Sequence, residues 1–106
     1  LEQVVASAKA AIDKAVELGV TTVKFFPAEV NGGLAAITAL GGPFPGVRFV
    51  PTGGIRLSGL GTYLASPAVA AVGGTWLTPI EAQRTGDFAS IERLAAEAVS
   101  VSEAAA

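Results

Sequence analysis

The sequence contains no histidine, no cysteine and no methionine among its 106 residues. Histidine is the commonest general base and metal ligand, and cysteine is the other common nucleophile and zinc ligand. Their absence excludes Ser-His and Cys-His catalytic arrangements, as well as a disulfide framework. Cytoplasmic proteins also lack disulfides, so a cytoplasmic location is compatible with this composition. Any catalysis is expected to use lysine, carboxylates, hydroxyls and backbone groups.

Charge is also scarce. Charged residues make up 15% of the chain, against roughly 25% in ordinary globular domains. The formal net charge is −2, and the seven lysines and arginines are scattered along the sequence. A nucleic-acid-binding protein normally carries a clustered basic face. The sequence therefore predicts no nucleic-acid partner.

Long apolar runs are missing, although hydrophobic residues make up 51% of the sequence. A membrane-spanning helix needs about 20 mostly apolar residues in a row, and glycine, proline or a charge interrupts every run here. The first residues do not resemble a signal peptide either. A small domain usually needs a larger polar share, so we expect a piece of a larger body, an expectation that the start at Leu1 and the lack of methionine favour.

What the sequence does contain is a regular alternation of helical and strand patterns. Gly19, Gly41-Gly42 and Gly86 are expected helix stops, Asn31 is an expected helix cap, and Thr78 begins a predicted capping box. The tail from Ser102 onward is expected to fray. The pattern predicts helices over 2–18, 32–40, 57–65, 78–85 and 87–101, and strands over 20–26, 47–51 and 69–72.

This order predicts an α/β fold with a parallel sheet covered by helices. Three parallel strands would leave two unpaired edges, and parallel sheets are almost always buried on both faces. We therefore expect residues 1–106 to be one incomplete domain.

Lys24 is the most unusual residue, because it lies inside an apolar strand. Burial would disfavour its ammonium form and lower its pKa, which is how a lysine becomes a nucleophilic amine. Alternation along the strand places Thr22, Lys24 and Phe26 on one face. The alternatives are an edge-strand lysine that discourages aggregation, or a lysine paired with Glu17 or Glu29.

Two glycine pairs each follow a predicted strand, Gly53-Gly54 after Thr52 and Gly73-Gly74 before Thr75. Glycine lets backbone N–H groups approach an anion closely, and a helix N-terminus favours negative charge. The alternative is a pair of tight turns without a ligand. No Gly-Lys-Ser/Thr sequence follows, so a P-loop is not predicted.

Several other residues could have a catalytic or binding role, but a structural role is favoured for each. Glu29 is expected to pair with a neighbour at the start of the second helix, with general acid/base catalysis as the alternative. Arg48 is expected to form a structural ion pair, with phosphate binding as the alternative. Tyr63 is expected to pack a helix, and Trp76 to lie in the core or at an oligomer contact.

Three motifs, Lys-Phe-Phe-Pro-Ala-Glu (24–29), Pro-Thr-Gly-Gly-Ile (51–55) and Val-Gly-Gly-Thr-Trp-Leu (72–77), occur in this order. With them the chain resembles the family of 2-keto-3-deoxy-6-phosphogluconate (KDPG) and 4-hydroxy-2-oxoglutarate (KHG) aldolases. The resemblance implies a homotrimeric (β/α)8 TIM barrel, of which this chain would hold about the last three strands and their helices. It also implies class I cleavage of KDPG to pyruvate and glyceraldehyde 3-phosphate, without metal or cofactor.

The resemblance assigns roles to particular residues. Lys24 matches the Schiff-base lysine and Phe26 a wall of its pocket. The groups that hold the substrate's hydroxyl and phosphate end are matched by Thr52, Gly53, Gly54, Gly74 and Thr75. At Thr75 serine is the more familiar residue of the family. The family's proton-accepting glutamate lies on an early strand, and no motif of this chain matches it.

Three functions remain open from the sequence. The chain is part of an active aldolase, or it is itself a partial barrel that binds phosphate ligands or a complementary chain without turnover, or it belongs to another phosphate-binding barrel in which Lys24 is an electrostatic clamp. The sequence does not distinguish KDPG from its galactonate epimer or KHG, although the glycine turns favour phosphorylated substrates.

Overall fold

The structure, a computed structural model, describes residues 2–105. It begins with helix α1, Glu2–Glu17, whose apolar residues recur at helical spacing and whose Ile12 is buried. The helix ends just before Gly19, which has a φ of 82°. Glycine takes up this left-handed conformation without the penalty that a Cβ brings. The predicted first helix and its glycine stop are therefore confirmed.

Two parallel strands form the sheet, β1 at Thr22–Phe25 and β2 at Arg48–Pro51. Their register pairs Lys24 with Val50 and Phe25 with Pro51. Between the strands lie a 3-10 turn, Glu29–Asn31, and helix α2, Gly33–Gly41. Both strands are shorter than predicted, and β1 ends before Phe26.

The start of α2 differs from the predicted asparagine cap. The N-cap residue is Gly32, with a φ of 100° and no side-chain cap. The Asn31 side chain instead donates a hydrogen bond back to the Pro27 carbonyl, at 2.9 Å. The 3-10 turn places Asn31 one residue too early to cap the α-helix, so its amide stabilises the turn.

The third predicted strand is wrong as a regular strand, although its segment does lie parallel beside β2. Isolated bridges pair Phe49 with Val69 and Thr52 with Gly73, so the offset between the segments grows from 20 to 21 residues. The extra residue is accommodated opposite Pro51, whose carbonyl accepts from the Gly73 N–H at 3.0 Å. Proline has no N–H to donate to the neighbouring segment, so the ladder is interrupted there.

The remaining regular elements of the described chain are helical: α3 is Leu57–Leu64, a 3-10 turn is Thr75–Leu77, α4 is Ile80–Thr85 and α5 is Phe88–Ala105. Gly86 ends α4 as predicted, with a φ of 71°. The predicted capping box is wrong, because the N-cap of α4 is Pro79 and Glu81 pairs with Arg84 at 3.0 Å. The predicted fraying is also wrong for residues 102–105, which continue α5; Ala106 lies outside the described residues.

The core lies on the side of the sheet that faces α1 and α2. Its largest fully buried side chains are Phe49, Ile37, Leu40 and Pro51. Phe25 meets Phe49 edge to face, with ring centroids 6.5 Å apart, a favourable arrangement for aromatic pairs. The opposite face of β1, with Thr22 and Lys24, is exposed. Within residues 2–105, no helix is both long and apolar enough to cross a membrane.

Candidate functional site

Lys24 lies one residue before the end of β1, on the exposed face of the sheet. Its ammonium nitrogen is 5.1 Å from the centre of the Phe26 ring, a distance at which a cation is attracted to an aromatic face. The predicted common face of Lys24 and Phe26 is therefore confirmed. Phe26 is itself 62% exposed, so this pair forms an open surface rather than a closed pocket.

Two of the sequence expectations for Lys24 are wrong. The lysine is exposed and not buried, like Thr22 on the same face of β1. Neither predicted carboxylate partner reaches it either. Glu17 pairs with Lys14 at 3.3 Å, and Glu29 accepts a hydrogen bond from Tyr63 at 3.2 Å. Within the described residues, β1 is hydrogen-bonded to one strand, β2.

The first glycine turn is packed against the exit of β1. Gly53 and Gly54 have φ values of 103° and 78°, in the region that disfavours residues with a Cβ. A Cβ on Gly53 would lie 3.0 Å from the Pro27 Cα, and one on Gly54 would lie 2.9 Å from the Glu29 side chain. The Ala28 N–H also donates to the Thr52 carbonyl at 2.8 Å. These glycines are thus required both by their backbone conformation and by close approach.

The second glycine turn lies beside the first. A Cβ on Gly73 would lie 2.8 Å from the Thr52 hydroxyl oxygen, so the Thr52 side chain packs directly against the Gly73 backbone. Gly74 is covered by the indole ring of Trp76, since a Cβ there would overlap the ring carbons. Trp76 is half-buried and packs against the core, which agrees with the core interpretation of this residue.

An open cavity of about 530 Å³ brings Gly54 and Thr75 together at the start of α3. It is also lined by Arg56 and Ser58, which the sequence reasoning did not assign to a site. A guanidinium, hydroxyls and the N-terminus of α3 favour an anion of phosphate size. Arg56 follows the Pro-Thr-Gly-Gly-Ile motif directly and precedes a helix, a signal that would have identified it.

Lys24 and Phe26 line a different cavity of about 440 Å³, between β1 and the start of α1. The cavity beside Lys24 and the cavity beside Gly54 share no lining residue. Thr52 joins the two regions through the backbone, because its N–H donates to the Phe25 carbonyl at 3.0 Å. The predicted site residues are therefore on connected elements, although Lys24 and Gly54 line separate cavities.

Glu29 and Tyr63 form a contact that the sequence did not predict. The two residues are 34 positions apart, and the buried Tyr63 hydroxyl donates to the Glu29 carboxylate at 3.2 Å. Burial, the negative charge of Glu29 and this hydrogen bond raise the pKa of Tyr63 from 10.0 to about 12, against a lowering by the Leu34 backbone. Glu29 thus has a structural partner, but that partner is Tyr63 in α3 and not the expected neighbour at the start of the second helix.

The expected ion pair of Arg48 is wrong. Its guanidinium donates to the Val69 carbonyl at 3.0 Å, and so links β2 to the segment beside it. Among residues 2–105, no group of three or more potential metal-ligating side chains lies close together.

Comparison with known proteins decides the family. The family model described as "KDPG and KHG aldolase" matches residues 4–94. The chain belongs to this aldolase family. Two curated relatives carry the description 2-dehydro-3-deoxy-phosphogluconate aldolase. The protein from Treponema pallidum is 46% identical over 90 residues, which are 85% of this chain and 43% of that protein. The protein from Pseudomonas aeruginosa is 53% identical over 81 residues, which are 76% of this chain and 37% of that protein.

A solved structure of KDPG aldolase from Legionella pneumophila, with pyruvate captured as a covalent carbinolamine intermediate, has a TM-score of 0.77 and 39% identity to this chain. The match covers 80% of this chain and 41% of that one. The chain thus has the α/β architecture of TIM-barrel-type KDPG and KHG aldolases, and it spans about two fifths of the length of the curated relatives it matches.

The packing of the Thr52–Gly54 turn leads to a stability prediction for the aldolase motif. Gly53→Ala is expected to destabilise the protein by about 1–3 kcal/mol. The new methyl group would contact Pro27, and alanine disfavours the left-handed conformation that residue 53 adopts. The control is Gly59→Ala in α3, where nothing lies within 4 Å of the added Cβ. That change is expected to be neutral or to stabilise by up to about 1 kcal/mol. Urea unfolding measures both, and equal stability of the two variants would contradict the prediction.

The raised pKa of Tyr63 predicts a pH dependence of stability. A group whose pKa is higher in the folded state contributes stability below its unfolded value and loses that contribution as the pH rises through the folded value. Between pH 10 and pH 12, the free energy of unfolding of the unchanged protein is therefore expected to fall by about 1–3 kcal/mol more than that of Tyr63→Phe. Parallel unfolding curves across this interval test it, and an unchanging difference between the two proteins would refute it.

Proposed function

We propose that this chain is part of a class I aldolase that cleaves KDPG to pyruvate and glyceraldehyde 3-phosphate. The observation that carries the proposal is Lys24, which lies next to Phe26 at the end of β1 in a chain of the KDPG and KHG aldolase family. The Legionella relative holds pyruvate as a carbinolamine, a species that an amine forms by adding to a keto group. Lys24 supplies such an amine at the end of a strand where TIM-barrel active sites lie.

The reaction uses Lys24 as a nucleophile and an electron sink. Its unprotonated amine adds to the 2-keto carbon, and loss of water gives an iminium ion. Removal of the proton from the C4 hydroxyl then breaks the C3–C4 bond, which releases glyceraldehyde 3-phosphate and leaves an enamine. Protonation of the enamine at C3 and hydrolysis of the resulting iminium release pyruvate and restore Lys24.

The second part of the proposed site holds the phosphate end and the hydroxyl of the substrate. Gly54 and Thr75 line the cavity of about 530 Å³ at the start of α3. Thr52, Gly53 and Gly74 do not line it themselves, but they precede these two residues directly in the chain. Arg56 adds a positive charge to the same cavity. Relatives named for a phosphorylated sugar acid favour a phosphorylated 2-keto acid as the ligand.

We further propose that residues 1–106 correspond to the last three strands of a (β/α)8 barrel in a cytoplasmic homotrimer. Two parallel strands and a third paired segment, each followed by helical structure, support this placement. The face of β1 that carries Lys24 would then point into the barrel. Preceding strands would cover that face, exclude water from Lys24 and supply the group that accepts the C4 hydroxyl proton. No metal or other cofactor is required.

Trapping with borohydride tests the proposed function. The protein is incubated with pyruvate and sodium borohydride, and the intact mass and a peptide map are measured. The expected result is one reduced pyruvyl group on Lys24. A folded protein that acquires no adduct would reject Lys24 as the nucleophile.

The second candidate function is a partial barrel that binds phosphate ligands without turnover. The separation of the two cavities favours it, since the cavity beside Gly54 does not require Lys24. This candidate predicts phosphate binding with no pyruvate adduct and no cleavage of KDPG. A third possibility, Lys24 as an electrostatic clamp, predicts phosphate binding that Lys24→Ala weakens, again with no adduct.

A further inference from the structure

Glu29 and Tyr63 occupy a position between the two parts of the proposed site. Glu29 lies in the turn that follows β1, five residues after Lys24, and Tyr63 belongs to α3, which begins at the cavity of about 530 Å³. Their side chains meet at 3.2 Å. Tyr63 is 5% exposed, so this partner of the carboxylate is held rigidly by the core.

Two glycines enclose this pair. A Cβ on Gly33 would lie 2.9 Å from the Tyr63 hydroxyl oxygen and 3.3 Å from a Glu29 carboxylate oxygen. A Cβ on Gly54 would lie 2.9 Å from both the Cβ and the Cγ of Glu29. The pair therefore fills a slot between the bare backbones of Gly54 in the first glycine turn and Gly33 at the start of α2. Such a fit leaves the carboxylate little freedom to rotate while its hydrogen bond to Tyr63 is intact.

The slot is continuous with the glycine turn of the proposed phosphate site. The Glu29 N–H donates to the Gly53 carbonyl at 3.2 Å, next to the bond between Ala28 and Thr52. Gly54, which packs on the Glu29 side chain, lines the cavity. A displacement of Glu29 would therefore move the turn that forms one wall of that cavity.

The charge of Glu29 gives this arrangement a second consequence. A carboxylate next to a phosphate-binding cavity repels a dianion, and two unit charges interact appreciably over a few ångströms near a protein surface. The Tyr63 hydroxyl holds the carboxylate on the side of the slot that faces α2 and α3. Without that hydroxyl, no hydrogen bond from Tyr63 would hold the carboxylate there, and the charge would be free to move toward Gly54, on which the Glu29 side chain packs.

We propose that Glu29 and Tyr63 are a positioning pair that fixes the Thr52–Gly54 turn and keeps the Glu29 charge away from the phosphate end of the substrate. The pair acts through the turn and touches no reacting atom. This inference rests on the proposed aldolase function for the identity of the phosphorylated ligand, whereas the packing and the charge argument apply to any phosphate at this cavity.

The test compares phosphate affinity with pyruvate trapping in the same variants. Tyr63→Phe removes only the hydroxyl. It is expected to weaken binding of inorganic phosphate by about 10-fold, because the released Glu29 carboxylate repels the dianion. Binding is measured by phosphorus NMR titration. The rate at which borohydride traps pyruvate on Lys24 is expected to stay within about twofold, because pyruvate carries no phosphate.

Glu29→Gln is the matched variant, because glutamine keeps an oxygen that accepts from Tyr63 and removes the charge. Its phosphate affinity is expected to equal or exceed that of the unchanged protein. The double variant, Tyr63→Phe with Glu29→Gln, is expected to recover most of the affinity that Tyr63→Phe loses. A purely structural role of Tyr63 predicts no such recovery, since the hydroxyl is missing in both.

The outcomes separate the two proposals. Normal trapping with unchanged phosphate affinity in Tyr63→Phe would overturn the positioning pair. The pair is also overturned if the double variant binds phosphate as weakly as Tyr63→Phe. Absence of trapping in the unchanged protein would overturn the aldolase function and leave the phosphate comparison valid. If Tyr63→Phe does not fold, Glu29→Ala is compared with Glu29→Gln, since both variants lack the charge and only glutamine keeps the packing and the bond to Tyr63; equal phosphate affinity in these two variants would reject the contribution of Glu29 to the turn.

Discussion

Lys24→Arg is expected to abolish borohydride trapping by pyruvate and to lower the rate of KDPG cleavage by at least about 10³-fold, as removal of a nucleophile does in other covalent enzymes. Arginine keeps the positive charge and much of the length of lysine. Its guanidinium stays protonated, so it cannot add to a keto group. The change therefore separates the nucleophilic role of Lys24 from an electrostatic one. Intact mass after reduction and a coupled assay of pyruvate release are the measurements.

Lys9→Arg is the matched control, because Lys9 is an exposed lysine on α1. Trapping and cleavage are expected to be unchanged in this variant. Phosphate affinity is expected to be similar in both variants, since neither residue lines the cavity beside Gly54. Retention of the adduct in Lys24→Arg would show that another amine forms the imine. Retention of cleavage without any adduct would reject the class I mechanism.

Phe49→Ala is expected to cost about 3–5 kcal/mol of the free energy of unfolding. Phe49 is fully buried at the centre of β2, and its ring contacts Phe25 edge to face. The Phe49 N–H donates to the Ala68 carbonyl at 2.7 Å, and the Phe49 carbonyl accepts from the Ala70 N–H at 2.8 Å. Truncation would leave a cavity where the sheet meets the helices. Because a whole domain is stable by only about 5–15 kcal/mol, this loss is expected to unfold much of the protein at moderate urea concentrations.

Phe88→Ala is the control for this prediction. Phe88 begins α5 and is 69% exposed, so its removal is expected to change the stability by less than about 0.5 kcal/mol. Both variants lose the same ring, and only burial differs. Similar urea midpoints for the two variants would contradict the assignment of Phe49 to the centre of the core.

The sequence predicted the helices and strands well where the pattern was strongly periodic or ended at glycine. α1 and its stop at Gly19, and the end of α4 at Gly86, follow from local chemistry alone. The errors occur where local signals compete with longer contacts. Asn31 had the chemistry of a cap, but a 3-10 turn moved it away from the helix start.

The site was predicted in part for the same reason. Alternation along β1 correctly grouped Lys24 with Phe26, because the side-chain period of a strand is fixed by its backbone. The burial of Lys24 was not correct, since exposure depends on which elements cover a face. The contact between Glu29 and Tyr63 and the cavity position of Arg56 had no local pattern that predicted them together.

The sequence by itself determined the α/β order, the family to which the chain belongs, and the residue types available for chemistry. These follow from composition, periodicity and motifs that lie within a few residues of one another. Only the tertiary structure decided how Pro51 interrupts pairing with the third segment. It also decided which side of the sheet is buried and which loops carry the glycines that Glu29 and Tyr63 require. Those features depend on contacts between distant residues, whose geometry no local pattern records.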